Sequence, residues 1–205
     1  MNDGTTREHI VDAADQLFYR QGYEHTSFSD IAKAVRISRG NFYYHFRTKD
    51  EILDAVIELR LSNTRQMLAQ WQAEESDPAA RIRRFVHILV ENRAKIMRHG
   101  CPVGTLCGEL AKLDHVAQAG ANRVMALFRD WLHRQFALLG RGAEADRLAM
   151  HLLARSQGVA TLAHAFRDRK FIQREVDLMC DWVASCTQQT SGRRPRQRPA
   201  YGPAH

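Results

Sequence analysis

Long apolar runs are missing from this 205-residue chain. None approaches the roughly 18 residues that suggest a membrane span, and the N-terminus is polar rather than signal-like. A cytoplasmic protein with no membrane partner is expected. Cysteine is sparse as well, and the 4 present lack tight paired spacing, which fits a reducing compartment better than a disulfide scaffold. No Cys-x-x-Cys or His-x-x-x-His pair occurs despite 10 histidines, so a structural zinc site is not implied. Also absent are a Gly-rich phosphate loop, a nucleophile elbow and a clustered carboxylate pair. A thiol-dependent enzyme, with Cys101 as nucleophile and His99 or His115 as base, would lack the usual accompanying groups. The sequence implies no enzyme, no metal and no cofactor.

A uniform basic coat is missing too. The net charge of +7 and the pI near 9.6 suggest a polyanionic partner, yet residues 1–50 hold seven Lys or Arg against seven Asp or Glu. Basicity there is local, with Arg36, Arg39, Arg47 and Lys49 gathered in one stretch. The tail adds Arg193, Arg194, Arg196 and Arg198 without an acid. Interleaved with Pro195 and Pro199, it cannot build a core and reads as disordered, serving solubility or a weak non-specific DNA contact.

What the sequence does contain is helix punctuation. Thr5 and Glu8 form a capping box for a first helix to about Arg20, with Ile10, Ala14, Leu17 and Phe18 as its buried stripe. Ser27 with Asp30 and Thr48 with Glu51 mark two further starts, and Ser38 caps a short helix between them. Phe28, Ile31, Ala32 and Val35 repeat at helical spacing before Arg36 and Ile37 interrupt them, which gives helix, tight turn, helix. On the second of these helices Arg39, Asn41, Tyr43, Tyr44 and His45 can bond outward, while Phe42 and Phe46 share an inward face. Such a helix suits phosphate and base-edge contacts.

The run GNFYYHFRTKDEIL resembles the G-x-LYYHF-x-x-K-x-x-L segment of the TetR/AcrR family of bacterial transcriptional regulators. Ile10, Ala14, Leu17, Phe18, Gly22 and Tyr23 also match that family's first helix and following turn. The resemblance is specific over about residues 7–58 and is one of helical plan beyond them. It implies an all-α fold: a three-helix helix-turn-helix head (1–50), a larger helical effector-binding and dimerisation body (51–188) and a basic tail (189–205). It further implies a homodimeric repressor on a palindromic double-stranded DNA operator, released by a small molecule. Carried over by position, Tyr43, Tyr44 and His45 are DNA contacts, and Lys49 holds a phosphate. Thr26 and Ser27 are expected to offer donors to phosphate, Arg36 to add local charge, Ser38 to cap the reading helix, and Arg39 and Asn41 to read bases.

The body reads as a connecting helix from Lys49 through Trp71, a helix from Pro78 to His99, a break at Gly100 to Gly104, and helices over 105–113, 115–139, 143–167 and 170–188. Val116 is expected on a buried stripe. The last two helices carry surplus apolar surface, and Ser156, Gly158, Ala160 and Ala163 would let another helix approach, so they are expected to form the dimer face. An apolar effector is expected among Phe85, Leu89, Leu106, Leu110, Phe128, Trp131 and Leu153, with Gln157 or His87 as polar handle. A competing trigger is the Cys101 thiol, beside Arg98 and His99 at a helix entry, open to oxidants or electrophiles. Cys107, Cys180 and Cys186 read as inert. A DNA-binding protein without any effector is a third reading.

Overall fold

Side-chain caps set several of the helix starts. A computed structural model describes residues 3–188, apart from the side chains of Asp3, Arg39 and Gln188; among these residues the chain forms helices and turns and no strand. The expectations for the basic tail lie outside the described residues.

Helix α1 spans Asp3–Gln21, so Thr5 and Glu8 lie inside it rather than at its cap. It ends at Gly22, whose φ of 90 is left-handed. Helix α2 (Phe28–Val35) begins with the capping box of Ser27 and Asp30 and stops at Arg36, left-handed with φ 59. Ser38 caps α3 (Arg39–His45), and the Thr48 hydroxyl accepts the Glu51 amide at the start of α4 (Lys49–Glu74).

Asp77 accepts the Ala79 and Ala80 amides to start α5 (Pro78–Glu91). The single helix expected to reach His99 is split at Asn92, whose side-chain amide donates to the Ile88 carbonyl at 3.2 Å and competes with the helix ladder. Helix α6 (Arg93–His99) then ends at Gly100, φ 79. Helix α7 (Pro102–Lys112) starts earlier than expected because Cys101 itself caps it and Pro102 suits the first turn. Helix α8 (Gln118–Phe136) starts later than expected. His115 Nδ1 accepts the Ala117 amide at 3.1 Å in the preceding turn, and Val116 is 90% exposed rather than buried. A wide turn at Ala137–Arg141 leads to α9 (Ala145–Phe166) and α10 (Arg169–Gln188).

Two apolar cores are threaded by α4. The first gathers Ile10, Phe18, Ile31, Phe42, Phe46, Leu53 and Val56, and continues to Leu61 of α4, Leu106 and Leu110 of α7, and Val124 of α8. Head packing therefore does not stop at residue 50. The second core holds Trp71, Phe85, Trp131, Phe136, Leu152, Val176 and Val183. Burying each such side chain stabilises by about 1.5–3 kcal/mol. Polar clasps tie α7 to the head. Arg60 Nε meets Asp15 of α1 at 2.6 Å and its Nη1 donates to the Pro102 carbonyl, while the Tyr19 hydroxyl donates to the Gly100 carbonyl at 2.9 Å. Burial pushes the Tyr19 phenol up to about 12.

Candidate nucleic-acid interface and body cavity

Helix α3 sorts its side chains by face. Phe42 and Phe46 are 1% and 2% exposed, whereas Tyr43 and Tyr44 are 53% and 74% exposed. Asn41 is exposed and its amide is capped by the Ser38 hydroxyl at 3.3 Å. The Tyr43 ring leans on Phe28 at 5.6 Å, so it is braced by the head while half of it stays open. His45 is half-buried beside Tyr44. Arg36 and Arg47 are exposed at the two ends of the turn–helix unit; the Arg39 side chain lies outside the described residues.

Three expected phosphate contacts are engaged inside the protein. Thr26 is 1% exposed, and its hydroxyl donates to the Gly22 carbonyl at 2.6 Å, closing the turn between α1 and α2. The Ser27 amide and hydroxyl both donate to Asp30 Oδ2, at 2.9 and 2.6 Å, and these bonds hold the Asp30 carboxyl below its ordinary range. Lys49 Nζ donates to the Tyr23 carbonyl at 3.0 Å and sits over the Tyr23 ring, so its charge fastens α4 to that turn. The capping box satisfies the Asp30 amide and leaves those of Phe28 and Ser29, which a helix cannot pair itself, as the donors at that end. Ser27→Ala is expected to cost about 1 kcal/mol of stability through loss of this cap, read by chemical denaturation.

Gly40 opens the GNFYYHF run. A Cβ built there meets nothing among the described residues within 4 Å, so neither packing among them nor backbone strain requires glycine in this helix.

In the body, Phe85, Leu89, Phe128, Leu153 and Gln157 line one cavity of about 290 Å³. Leu106, Leu110 and Trp131 do not. Leu106 and Leu110, four apart on α7, share the face that packs into the head core, and Trp131, 1% exposed, packs on Trp71 at 5.8 Å. His87 faces α10 instead, with Nε2 3.8 Å from Cys180 Sγ. Cys101 lines the same cavity, its sulfur accepting the Gly104 amide at 3.5 Å. Arg98 and His99 instead line a neighbouring recess with Gln16 and Tyr19. Burial pushes the thiols of Cys107, Cys180 and Cys186 up, which favours the inert protonated form.

The last two helices divide their apolar residues between two faces. Ile172, Val176, Met179 and Val183 of α10 are buried in the chain's own core, as are Ser156, Ala160 and Ala163 of α9, which were expected to face a second helix. Outward, at every fourth position of α9, lie Met150, Ala154, Gly158, Leu162 and Phe166, all exposed, and Leu178 of α10 is 51% exposed.

A short helix with a buried aromatic face and an open polar-aromatic face, set behind a capped partner helix, defines a helix-turn-helix DNA-binding protein. The family model described as bacterial regulatory proteins, tetR family, matches residues 10–56. The chain is 29% identical over 178 residues to an uncharacterized HTH-type transcriptional regulator from the lacX 3' region of Lactococcus lactis subsp. lactis, covering 85% of this chain and 91% of that one. It is 38% identical over 86 residues to the HTH-type transcriptional regulator AcrR of Shigella flexneri, covering 41% of this chain and 40% of that protein. A TetR-family regulator from Agrobacterium tumefaciens shares the fold with a TM-score of 0.76 at 20% identity, over 88% of this chain and 98% of its own. The chain is a DNA-binding transcriptional regulator, similar over residues 10–56 to the tetR family. No helix of the described residues is long and apolar enough to cross a membrane.

Proposed function

We propose that the chain is a cytoplasmic homodimeric repressor, not an enzyme, that binds a palindromic operator and releases it when a small apolar molecule enters the body cavity. The head at 1–50 reads DNA, 51–188 binds effector and partner, and 189–205 is an accessory basic tail. The observation that carries the DNA half is Gly40. An exposed helical glycine costs about 0.5–1 kcal/mol relative to alanine, and no contact among the described residues requires it. Close approach of a DNA strand to the first turn of α3 gives the reason. Asn41 and Arg39 then reach base edges, and Tyr43, Tyr44 and His45 fill the groove. Ser38 fixes the helix start, Arg36 and Arg47 neutralise flanking phosphates, and the Phe28 and Ser29 amides hold another. Gly40→Ala is expected to raise thermal stability yet weaken operator binding about tenfold or more, measured by fluorescence anisotropy. Unchanged DNA affinity in this variant would overturn the close-approach reading.

The cavity supports a compact effector with an aromatic or branched apolar body against Phe85, Leu89, Phe128 and Leu153. One hydrogen-bonding end would meet Gln157. A compound screen read by both thermal shift and DNA affinity tests it, since an effector must bind the two states unequally. A compound of the right kind shifts both readouts in the wild type and neither in Leu153→Trp, which fills the site. The thiol reading is favoured by one observation, the place of Cys101 in that cavity wall. An electrophile would there form a carbon–sulfur bond and enlarge the wall from within. Cys101→Ser would abolish release by such a reagent and spare release by a non-covalent compound.

A further inference from the structure

The turn between α1 and α2 is held from the body by one carboxylate. Glu109, on α7, accepts the Tyr23 amide on Oε2 at 3.0 Å and the Glu24 amide on Oε1 at 2.9 Å, across 86 and 85 residues of sequence. Gly22 makes room for it: a Cβ there would stand 2.8 Å from Oε1. The same turn is gripped from α4, where Asp50 accepts the Tyr23 hydroxyl and Lys49 bonds the Tyr23 carbonyl. His115, just past α7, meets the Tyr23 ring edge-on at 5.1 Å and reaches Asp50 at 3.5 Å. The turn leads straight into α2, which supports the reading helix through Phe28 and Phe42, 5.2 Å apart.

The opposite end of α7 is a cavity wall. Cys101, Pro102 and Val103 line the body cavity together with Asp15, Gln16 and Tyr19 of α1. Gln157 of α9 crosses to this end, and a Cβ on Gly104 would meet its Oε1 at 2.4 Å. One short helix therefore joins the cavity to the head. From Pro102 to Glu109 it covers about 10 Å at the ordinary helical rise.

We propose that Glu109 is a positioning residue of DNA binding, through which occupancy of the cavity reaches the reading helix. A molecule seated against Val103 and Gln157 shifts α7 along or away from α9. The carboxylate then withdraws from the Tyr23 and Glu24 amides. The α1–α2 turn loosens and α2 no longer presents α3 at a fixed angle. This route runs through α7 and is separate from any tilt of α4. It rests on the reading of the cavity as the effector site.

The test is a double-mutant cycle on the full-length protein. Ala160→Leu is the built-in occupant, because Ala160 is 2% exposed and lines the cavity from α9. Glu109→Gln keeps the shape but offers a donor where an acceptor is needed. Operator affinity is measured for wild type, each single variant and the pair. In parallel, amide exchange is followed at Tyr23 and Glu24, with thermal unfolding to confirm folding. Carboxamidomethylation of Cys101 by iodoacetamide in a Cys107→Ser/Cys180→Ser protein is the second perturbation, for use where Ala160→Leu fails to fold. The proposal expects Ala160→Leu to weaken operator binding roughly tenfold and to speed exchange at those two amides, and the further loss in the Glu109→Gln background to be below about twofold. An equal loss in both backgrounds overturns the coupling role and leaves the cavity reading intact. If neither perturbation changes operator affinity in otherwise wild-type protein, the cavity reading fails and the coupling role with it.

Discussion

Phe42→Ala is expected to abolish operator binding and to destabilise the head by about 3–5 kcal/mol. The ring is 1% exposed and sits edge-on to Phe28 at 5.2 Å, so it is the main apolar link between the two helices of the helix-turn-helix. A helix as short as α3 cannot persist alone, because nucleation is unfavourable and only tertiary packing offsets it. Truncating the ring leaves a cavity at the point where α3 is held, and the reading face loses its orientation. Chemical denaturation and amide exchange along α1 to α3 measure this. Tyr44→Ala is the control: at 74% exposure the ring supports little of the fold, so stability should stay within about 0.5 kcal/mol while operator affinity falls. A Tyr44→Ala protein that binds operator like the wild type would remove that ring from the interface.

Charging the outer face of the last two helices is expected to have the second large effect. The stripe Met150, Ala154, Gly158, Leu162 and Phe166 on α9, with Leu178 on α10, is apolar and exposed along most of the helix. A Cβ on Gly158 would meet nothing among the described residues within 4 Å, which leaves space for a second helix to approach. Two such faces meeting about a two-fold axis make a four-helix bundle. Phe166→Glu combined with Leu178→Glu places carboxylates where the apolar faces meet, and analytical ultracentrifugation should show monomer in place of dimer. Affinity for a palindrome should fall about 100-fold or more, because the second head no longer binds at high effective concentration, while affinity for a single half-site should be unchanged. A charged double variant that remains dimeric would place the dimer face elsewhere.

Local chemistry was the legible part of the sequence. Ser27, Ser38, Thr48 and Asp77 each mark a helix start where the structure has one, since a hydroxyl or carboxylate must satisfy amides within three residues of itself. The inward and outward faces of α3 followed from Phe42 and Phe46 for the same reason. The cavity was half legible: Phe85, Leu89, Phe128, Leu153 and Gln157 line it. Leu106 and Leu110 do not, because helical spacing marks a buried face without telling which of the two cores covers it. Thr26, Ser27 and Lys49 were read as groups for DNA when their nearest polar partners lay within the head itself. Glu109 gave no signal, since its two amide partners are more than eighty residues away and nothing in α7 points to them.

The most direct test of the account is a sequencing-based pull-down of fragmented DNA from the source genome with purified, reduced protein at two salt concentrations. The account predicts enrichment of a few short palindromes upstream of genes. Their half-sites should lie about 34–36 Å apart or a multiple of that, and the enrichment should be lost with Phe42→Ala. Recovery of no sequence above background, or of DNA without any shared palindrome at both salts, would contradict it.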